Sequence, residues 1–502
     1  SHFNLNGRGE VLQEESWDFA VLDAVLSDTT RSAAGGYRDE NRLLSYFGRV
    51  QYDYREKYML NATLRADGSS KLSKGNKFRY FPSVSLGWIV TKENFGIPDF
   101  INFLKLRASW GRNGSIKSLG NFEYVSTISS NAEASYYLSG GEKLTGAEPG
   151  KLANPDLVWE TSQQIDIGLD LYLFRNQLTF SADYFEKTTI DLITNGPVPL
   201  YVGNDQPKVN AGDVVNKGFE LELGHKKRMG SFSYDIKAMA SYLTNEVTYI
   251  GNKASALVGA NLGTTGAITR SEEGKPIWFL YGYQDDGIFK NREEVNSYVN
   301  QEGDLIQPSA IAGDVKFKDI NGDGKINEKD KTMIGNPHPK WTFSLSSNFK
   351  YKNFDLSLFF NGRANVDVYF GAYRTDLNKN NKPEFFYEDG WTPENTTAEF
   401  PRYTSSDANR NFSHNSMFVF DGSFLRLQNA EIGYTLPKTV SGKINVDKLR
   451  VYVSGQNLFL LTKYPGDPEL GDTGGYNGNS IGVDRGLYPR ARIFSLGANL
   501  TF

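Results

Sequence analysis

The residues best arranged for chemistry are the twelve of DINGDGKINEKD, 319–330. Asp319, Asn321 and Asp323 occupy positions 1, 3 and 5, and Gly324 sits at position 6. The Lys325 carbonyl follows at 7, Asn327 at 9 and Asp330 at 12. That is the ligand spacing of a calcium loop, with Asp where Glu is usual at the last position. A hard cation needs several oxygens at short range, and glycine permits the sharp turn between them. The segment after the loop, KTMIGNPHPKW, holds Gly and two prolines, so no long helix continues from it. The spacing predicts a structural Ca²⁺ site standing alone. The competing reading is an Asx-rich turn held by its own hydrogen bonds without metal.

Other chemistry is scarce. The chain has no cysteine, which removes thiol nucleophiles and disulfides, and its four histidines are scattered. There is no HExxH pair, no GxSxG elbow and no phosphate-binding glycine loop. With 55 basic and 59 acidic residues the formal charge is −4, which carries no footprint for nucleic acid. Arg65, Asp67, Arg107, Asp166 and Asp170 are predicted to line one polar face, turned to a water-filled lumen, as cross-strand charge pairs. A catalytic carboxylate pair among them is the alternative reading. Aromatics make up 14% of residues and recur in long polar stretches. Tyr136, Tyr137, Tyr369, Trp391, Tyr464 and Tyr476 are candidate substrate contacts, because aromatic faces beside amides and carboxylates suit sugars or peptides. Packing of these rings on each other, to hold loops in shape, is the alternative for each.

The elements that must position these groups are strands. The last nine residues, FSLGANLTF, put Phe494, Leu496, Ala498, Leu500 and Phe502 on one face. Leu60, Ala62 and Leu64 alternate with Asn61, Thr63 and Arg65, and Leu104, Leu106 and Ala108 alternate with Lys105, Arg107 and Ser109. The same period runs through 164–173, 178–184, 341–349 and 354–360. Each apolar face has the length a tilted strand needs to cross a bilayer, roughly 9–11 residues. About 14 such strands are expected over 43–502, with residues 1–42 read as a loop segment carrying at most one helical turn. Short links at 55–57, 175–176, 227–230 and 351–353 alternate with long stretches at 112–156, 187–214, 246–275, 286–336, 364–420 and 462–488. Short turns on one side and long loops on the other are the layout of an outer-membrane barrel. The fold class is therefore all-β, a transmembrane antiparallel β-barrel with long extracellular loops. A soluble sandwich or propeller is the alternative.

Several ordered segments resemble the SusC/RagA family of TonB-dependent outer-membrane transporters from Bacteroidota. They include LLSYFGRVQYDYREKYMLNATLRADGSSKL (43–72), FPSVSLGWIVTKENF (81–95) and PIWFLYGYQDDGIF (276–289). GDVKFKDINGDGKINEKDKTMIGNPHPKWTFSLS (313–346), WTPENTTAEFPRY (391–403) and SFLRLQNAEIGYTLPK (423–438) continue the series. The resemblance implies that this chain is the C-terminal portion of a polypeptide about twice as long, whose barrel has about 22 strands. It implies as partners a SusD-like surface lipoprotein and the TonB complex, engaged through a part not matched here. The remainder of the same transporter, its plug and N-terminal strands, and outer-membrane lipid complete the set. The implied function is uptake of oligosaccharides or oligopeptides without covalent chemistry. A family barrel serving as an assembly scaffold is a second reading, and a barrel-embedded or secreted hydrolase a third.

Overall fold

A computed structural model describes residues 2–20, 35–129, 136–137, 143–144, 146–196, 198, 205–251, 256–263, 265–372, 383–404, 406–444, 446–469 and 478–502. Fourteen long strands form its main sheet. They are β1 (His2–Ala20), β2 (Gly35–Tyr54), β3 (Tyr58–Ser69), β4 (Phe78–Ile89), β5 (Ile101–Ser115), β6 (Glu160–Leu173) and β7 (Leu178–Ile190). β8 (Gly212–Met229), β9 (Phe232–Ile250), β10 (Trp341–Tyr351), β11 (Phe354–Ala364), β12 (Phe424–Thr435), β13 (Lys448–Thr462) and β14 (Ile493–Thr501) follow. Their order in the sheet is their order in the chain. Such a meander needs only hairpin links, which is why short turns can join every second pair.

β1 corrects the sequence reading, which has 1–42 as a loop segment. Residues 2–20 pair antiparallel with β2, from His2 opposite Asp53 to Ala20 opposite Gly35. Gly7 and Gly9 interrupt the apolar face begun by Phe3 and Leu5, and Glu14 and Glu15 separate it from Trp17 and Phe19. A glycine-broken, acid-rich strand carries too little period-2 signal to be read, but its backbone still completes a ladder.

Contacts divide the chain into two compact units. In the first, register sets apolar residues opposite one another across three strands. Leu60 faces Leu86 and Ala62 faces Val84, while Val84 faces Trp110 and Leu86 faces Ala108. The intervening positions are polar: Asn61 faces Ser85, which faces Ser109. In the second unit Phe349 lies between Tyr234 and Leu356, and Ile432 lies opposite Val453, which faces Leu496. These apolar side chains are not covered. Leu64 is 53% exposed, Leu86 55%, Ile167 58% and Leu496 79%. A contiguous apolar face of this kind requires a nonpolar surrounding, which a bilayer supplies.

The connecting segments carry cores of their own. In the first unit Leu72, Phe81, Leu119, Leu157, Trp159 and Ile193 cluster, with Phe81 edge-on to Trp159 at 5.7 Å. In the second, twelve buried residues drawn from 262–483 form one cluster, rich in phenylalanine. Long loops keep a fixed shape here because they bury apolar area among themselves, offsetting the chain entropy of ordering them.

Candidate functional site

The 319–330 loop follows a short strand, Val315–Phe317, and runs into a 3₁₀ turn, Glu328–Asp330, and the strand Lys331–Gly335. No long helix follows. Gly322 and Gly324 hold φ of 72° and 79°, left-handed values that favour glycine. The Asp319 carboxylate accepts from the Gly322 and Gly324 amides, both at 2.7 Å. Asp323 accepts from the side-chain amides of Asn321 and Asn327 at 3.0 Å each, and these donors, Asn327 first, hold its carboxyl below the usual range. Asp330 is fully buried and accepts from the Ile320 and Asn327 amides at 3.0 and 2.7 Å. Oxygens of Asp319, Asp323 and Asp330 lie within 4.8 Å of one another. Three carboxylates at that spacing repel unless charge is brought between them. The donor set of carboxylate, amide and carbonyl oxygen fits a hard divalent cation. The backbone amides that grip Asp319 and Asp330 orient the carboxylates and leave lone pairs for a cation.

A buried polar network that the sequence reading missed fixes this loop from behind. Gln307 donates to the Val315 carbonyl (3.0 Å) and accepts from the Phe317 amide (2.7 Å). Asn411 accepts from the Val315 amide (2.8 Å) and donates to Asp314 (2.9 Å), which also binds Arg402 at 2.6 Å. Asn409 donates to the Val315 carbonyl at 2.9 Å. Nothing local distinguishes Asn409 and Asn411 from solvated loop residues, because these partners lie 94 to 97 positions away.

The candidate substrate aromatics separate into groups. Tyr369 is fully buried and Tyr464 is 4% exposed, its hydroxyl 2.5 Å from Asp484. Both are core residues, which corrects their assignment as substrate contacts: a ring sealed among phenylalanines cannot stack on a ligand. Trp391 is half-buried and packs over Gly313, where a Cβ would lie 2.4 Å from the indole. Tyr136 and Tyr137 pair with Leu144 and Lys143 through their backbones, but their side chains lie outside the described residues, as does Tyr476 altogether. The structure instead presents Tyr387 (69% exposed) and Tyr403 (47%), with ring centroids 5.4 Å apart.

On the polar face of the first unit, Arg65 binds Asp67 at 2.6 Å. Arg107 bridges Asp170 at 3.2 Å and Asp183 at 2.6 Å, and Asp166 accepts from Ser109 and Gln164. All five candidate lumen residues alternate with the exposed apolar positions of their strands. Arg107 reaches Asp183 by crossing Gly168, where an added Cβ would sit 2.7 Å from the guanidinium carbon. His414 is buried and His338 half-buried, and desolvation pushes both below the ordinary imidazole value, His414 to about 4. They are neutral packing groups at neutral pH.

A meander of fourteen antiparallel strands, apolar towards its surroundings on one face and ion-paired on the other, defines an outer-membrane β-barrel protein. The family model for the β-barrel of TonB-dependent receptor-like proteins matches residues 3–458. The TonB-dependent receptor P3 of Formosa agariphila is 34% identical over 484 residues, covering 93% of this chain and 46% of its own. The TonB-dependent receptor SusC of Bacteroides thetaiotaomicron is 30% identical over 516 residues, covering 100% of this chain and 47% of its own. The solved RagAB peptide transporter superposes with a TM-score of 0.80 over 100% of this chain and 53% of that one, at 21% identity, a likeness of fold. The chain belongs to the TonB-dependent receptor β-barrel family, whose members lie in the outer membrane. It spans about half the length of the curated relatives it matches.

Proposed function

We propose that this chain forms the C-terminal barrel strands and external loops of an importer that takes oligosaccharides or oligopeptides across the outer membrane. A SusD-like lipoprotein would cover the loops, and energy would arrive through TonB by way of the rest of the polypeptide. The observation that carries this reading is identity of 30–34% with TonB-dependent receptors over 93–100% of the chain, loops included. Deleting the gene should abolish growth on one class of oligomer while growth on its monomer persists, and complementation should restore it. Isolation of the tagged protein should recover a surface lipoprotein. Unchanged growth on every glycan and peptide oligomer, with no lipoprotein recovered, would sink the proposal.

Within that reading, the 319–330 loop holds a structural Ca²⁺. Asp319, Asp323 and Asp330 would supply its charge, with Asn321, Asn327 and the Lys325 carbonyl completing the set. Asp319→Ala with Asp323→Ala removes two of three anionic ligands, and affinity follows ligand charge. The double variant is expected to lose stoichiometric Ca²⁺ by calorimetry and to be cleaved faster within 286–336. Chelator should do the same to the unmodified protein, while the barrel keeps its heat-modifiable mobility. If chelator leaves cleavage unchanged and no heat of binding is seen, the hydrogen-bonded turn suffices without metal.

A further inference from the structure

We propose that the periplasmic rim formed by the β8–β9 and β10–β11 turns is a docking site for the phosphate headgroups of anionic lipid in the inner leaflet. Both links are short, which places them on the periplasmic side. The two turns are joined: the Lys352 amide donates to the Ser231 carbonyl at 3.0 Å. Together they present Lys227 and Lys352, both exposed, while Arg228 alternates with Lys227 and lies on the other face with Lys226. No ion pair among the described residues takes up either cation. At another short turn two of three cations find carboxylates, and the third, Arg55, lies over the Tyr54 ring at 5.2 Å. Around Arg55–Lys57, Lys57 pairs with Glu93 at 2.8 Å and Lys92 pairs with Glu56. The nearby carboxylates of the basic rim, Asp235 and Asp355, alternate with the apolar residues of their strands and so face the other side. Asp355 is already held by Arg450.

Depth is set by aromatic rings immediately above the cations. Phe232 stacks on Phe349 at 6.5 Å, and Phe354 lies 4.7 Å from Tyr434. The Lys352 ammonium sits 5.6 Å over the Tyr351 ring, which is 54% exposed on the apolar face. Lys227 shares its face with His225, whose ring lies 5.5 Å from that of Tyr234. Rings of this kind rest at the headgroup level, so the cations just beyond them meet phosphate oxygens. A chain with net charge −4 gathers this unpaired positive charge at one point of its membrane boundary, where the complementary partner is a lipid phosphate.

The test uses the intact receptor polypeptide in vesicles of phosphatidylcholine, with spin-labelled phosphatidylglycerol or phosphatidylcholine as probe. Each cation at an anionic surface is worth about 1 kcal/mol, roughly fivefold. The unmodified protein should therefore prefer phosphatidylglycerol. Lys227→Gln with Lys352→Gln should cut that preference by an order of magnitude or more, and Lys227→Arg with Lys352→Arg should keep it. Lys226→Gln with Lys350→Gln, on the opposite face, should also keep it. The proposal falls if the unmodified protein shows no preference, which would leave an acidic protein surface as the occupant. It falls equally if the opposite-face pair abolishes the preference, or if millimolar inorganic phosphate displaces the lipid.

Discussion

Phe418→Ala is expected to open the external loop core while leaving the strands in place. Phe418 is fully buried and touches rings from three separate segments: Tyr369 at 6.4 Å, Phe386 at 5.8 Å and Phe412 at 5.8 Å. Removing a buried phenylalanine ring costs about 3–5 kcal/mol, through lost transfer energy and the cavity left behind. The cluster lies in loops and short strands, outside the long-strand ladder, so the cost falls on a local opening and not on global unfolding. An opening made easier by that amount raises the open population roughly a hundredfold or more. Limited proteolysis within 383–421 should accelerate accordingly, while heat-modifiable mobility stays as in the unmodified protein. Phe418→Leu keeps most of the volume and should show only a small increase. Cleavage of Phe418→Ala at the unmodified rate would mean that the aromatic cluster does not hold the loops.

The strand faces were legible in the sequence and the loop interior was not, for one physical reason. Successive side chains on a strand point to opposite sides, so Leu60, Ala62 and Leu64 declare their face within five residues. Turn length declares sidedness just as locally. The grouping of Asp319, Asp323 and Asp330 was readable because all three lie within twelve consecutive positions. Burial of Tyr369 and Tyr464 depends on rings supplied from 370, 418 and 420, and no local pattern distinguishes a loop aromatic that packs from one that waits for a ligand. The exposed pair Tyr387 and Tyr403 was missed for the same reason. Gly168 marks a finer limit. Its alternation places it on the polar face, but only the folded structure shows that Arg107 already fills the space above it.

The assignment of faces makes the second large prediction. Arginine on the apolar face must enter hydrocarbon, at a cost of about 2–4 kcal/mol near the midplane that falls towards zero at the interfaces. Leu345→Arg and Leu356→Arg are suited to the test. Leu345 lies between Ala238 and Phe360, and Leu356 lies opposite Phe349 and Ile432, so every cross-strand neighbour is apolar and none can receive the charge. Both variants are expected to lower the denaturant midpoint for folding of the receptor in lipid vesicles and to reduce the heat-modifiable fraction in outer membranes. Thr63→Arg is the control. Its neighbours are Arg49 and Ser83 on the polar face, where a long cation can extend into water, so a small effect is expected. Gly168 would be a poor control, since any side chain there displaces the Arg107 bridge to Asp183 and would mimic an insertion defect for a different reason. If Thr63→Arg impairs folding as much as Leu345→Arg and Leu356→Arg, the alternation does not separate lipid from lumen and the barrel reading of these strands fails.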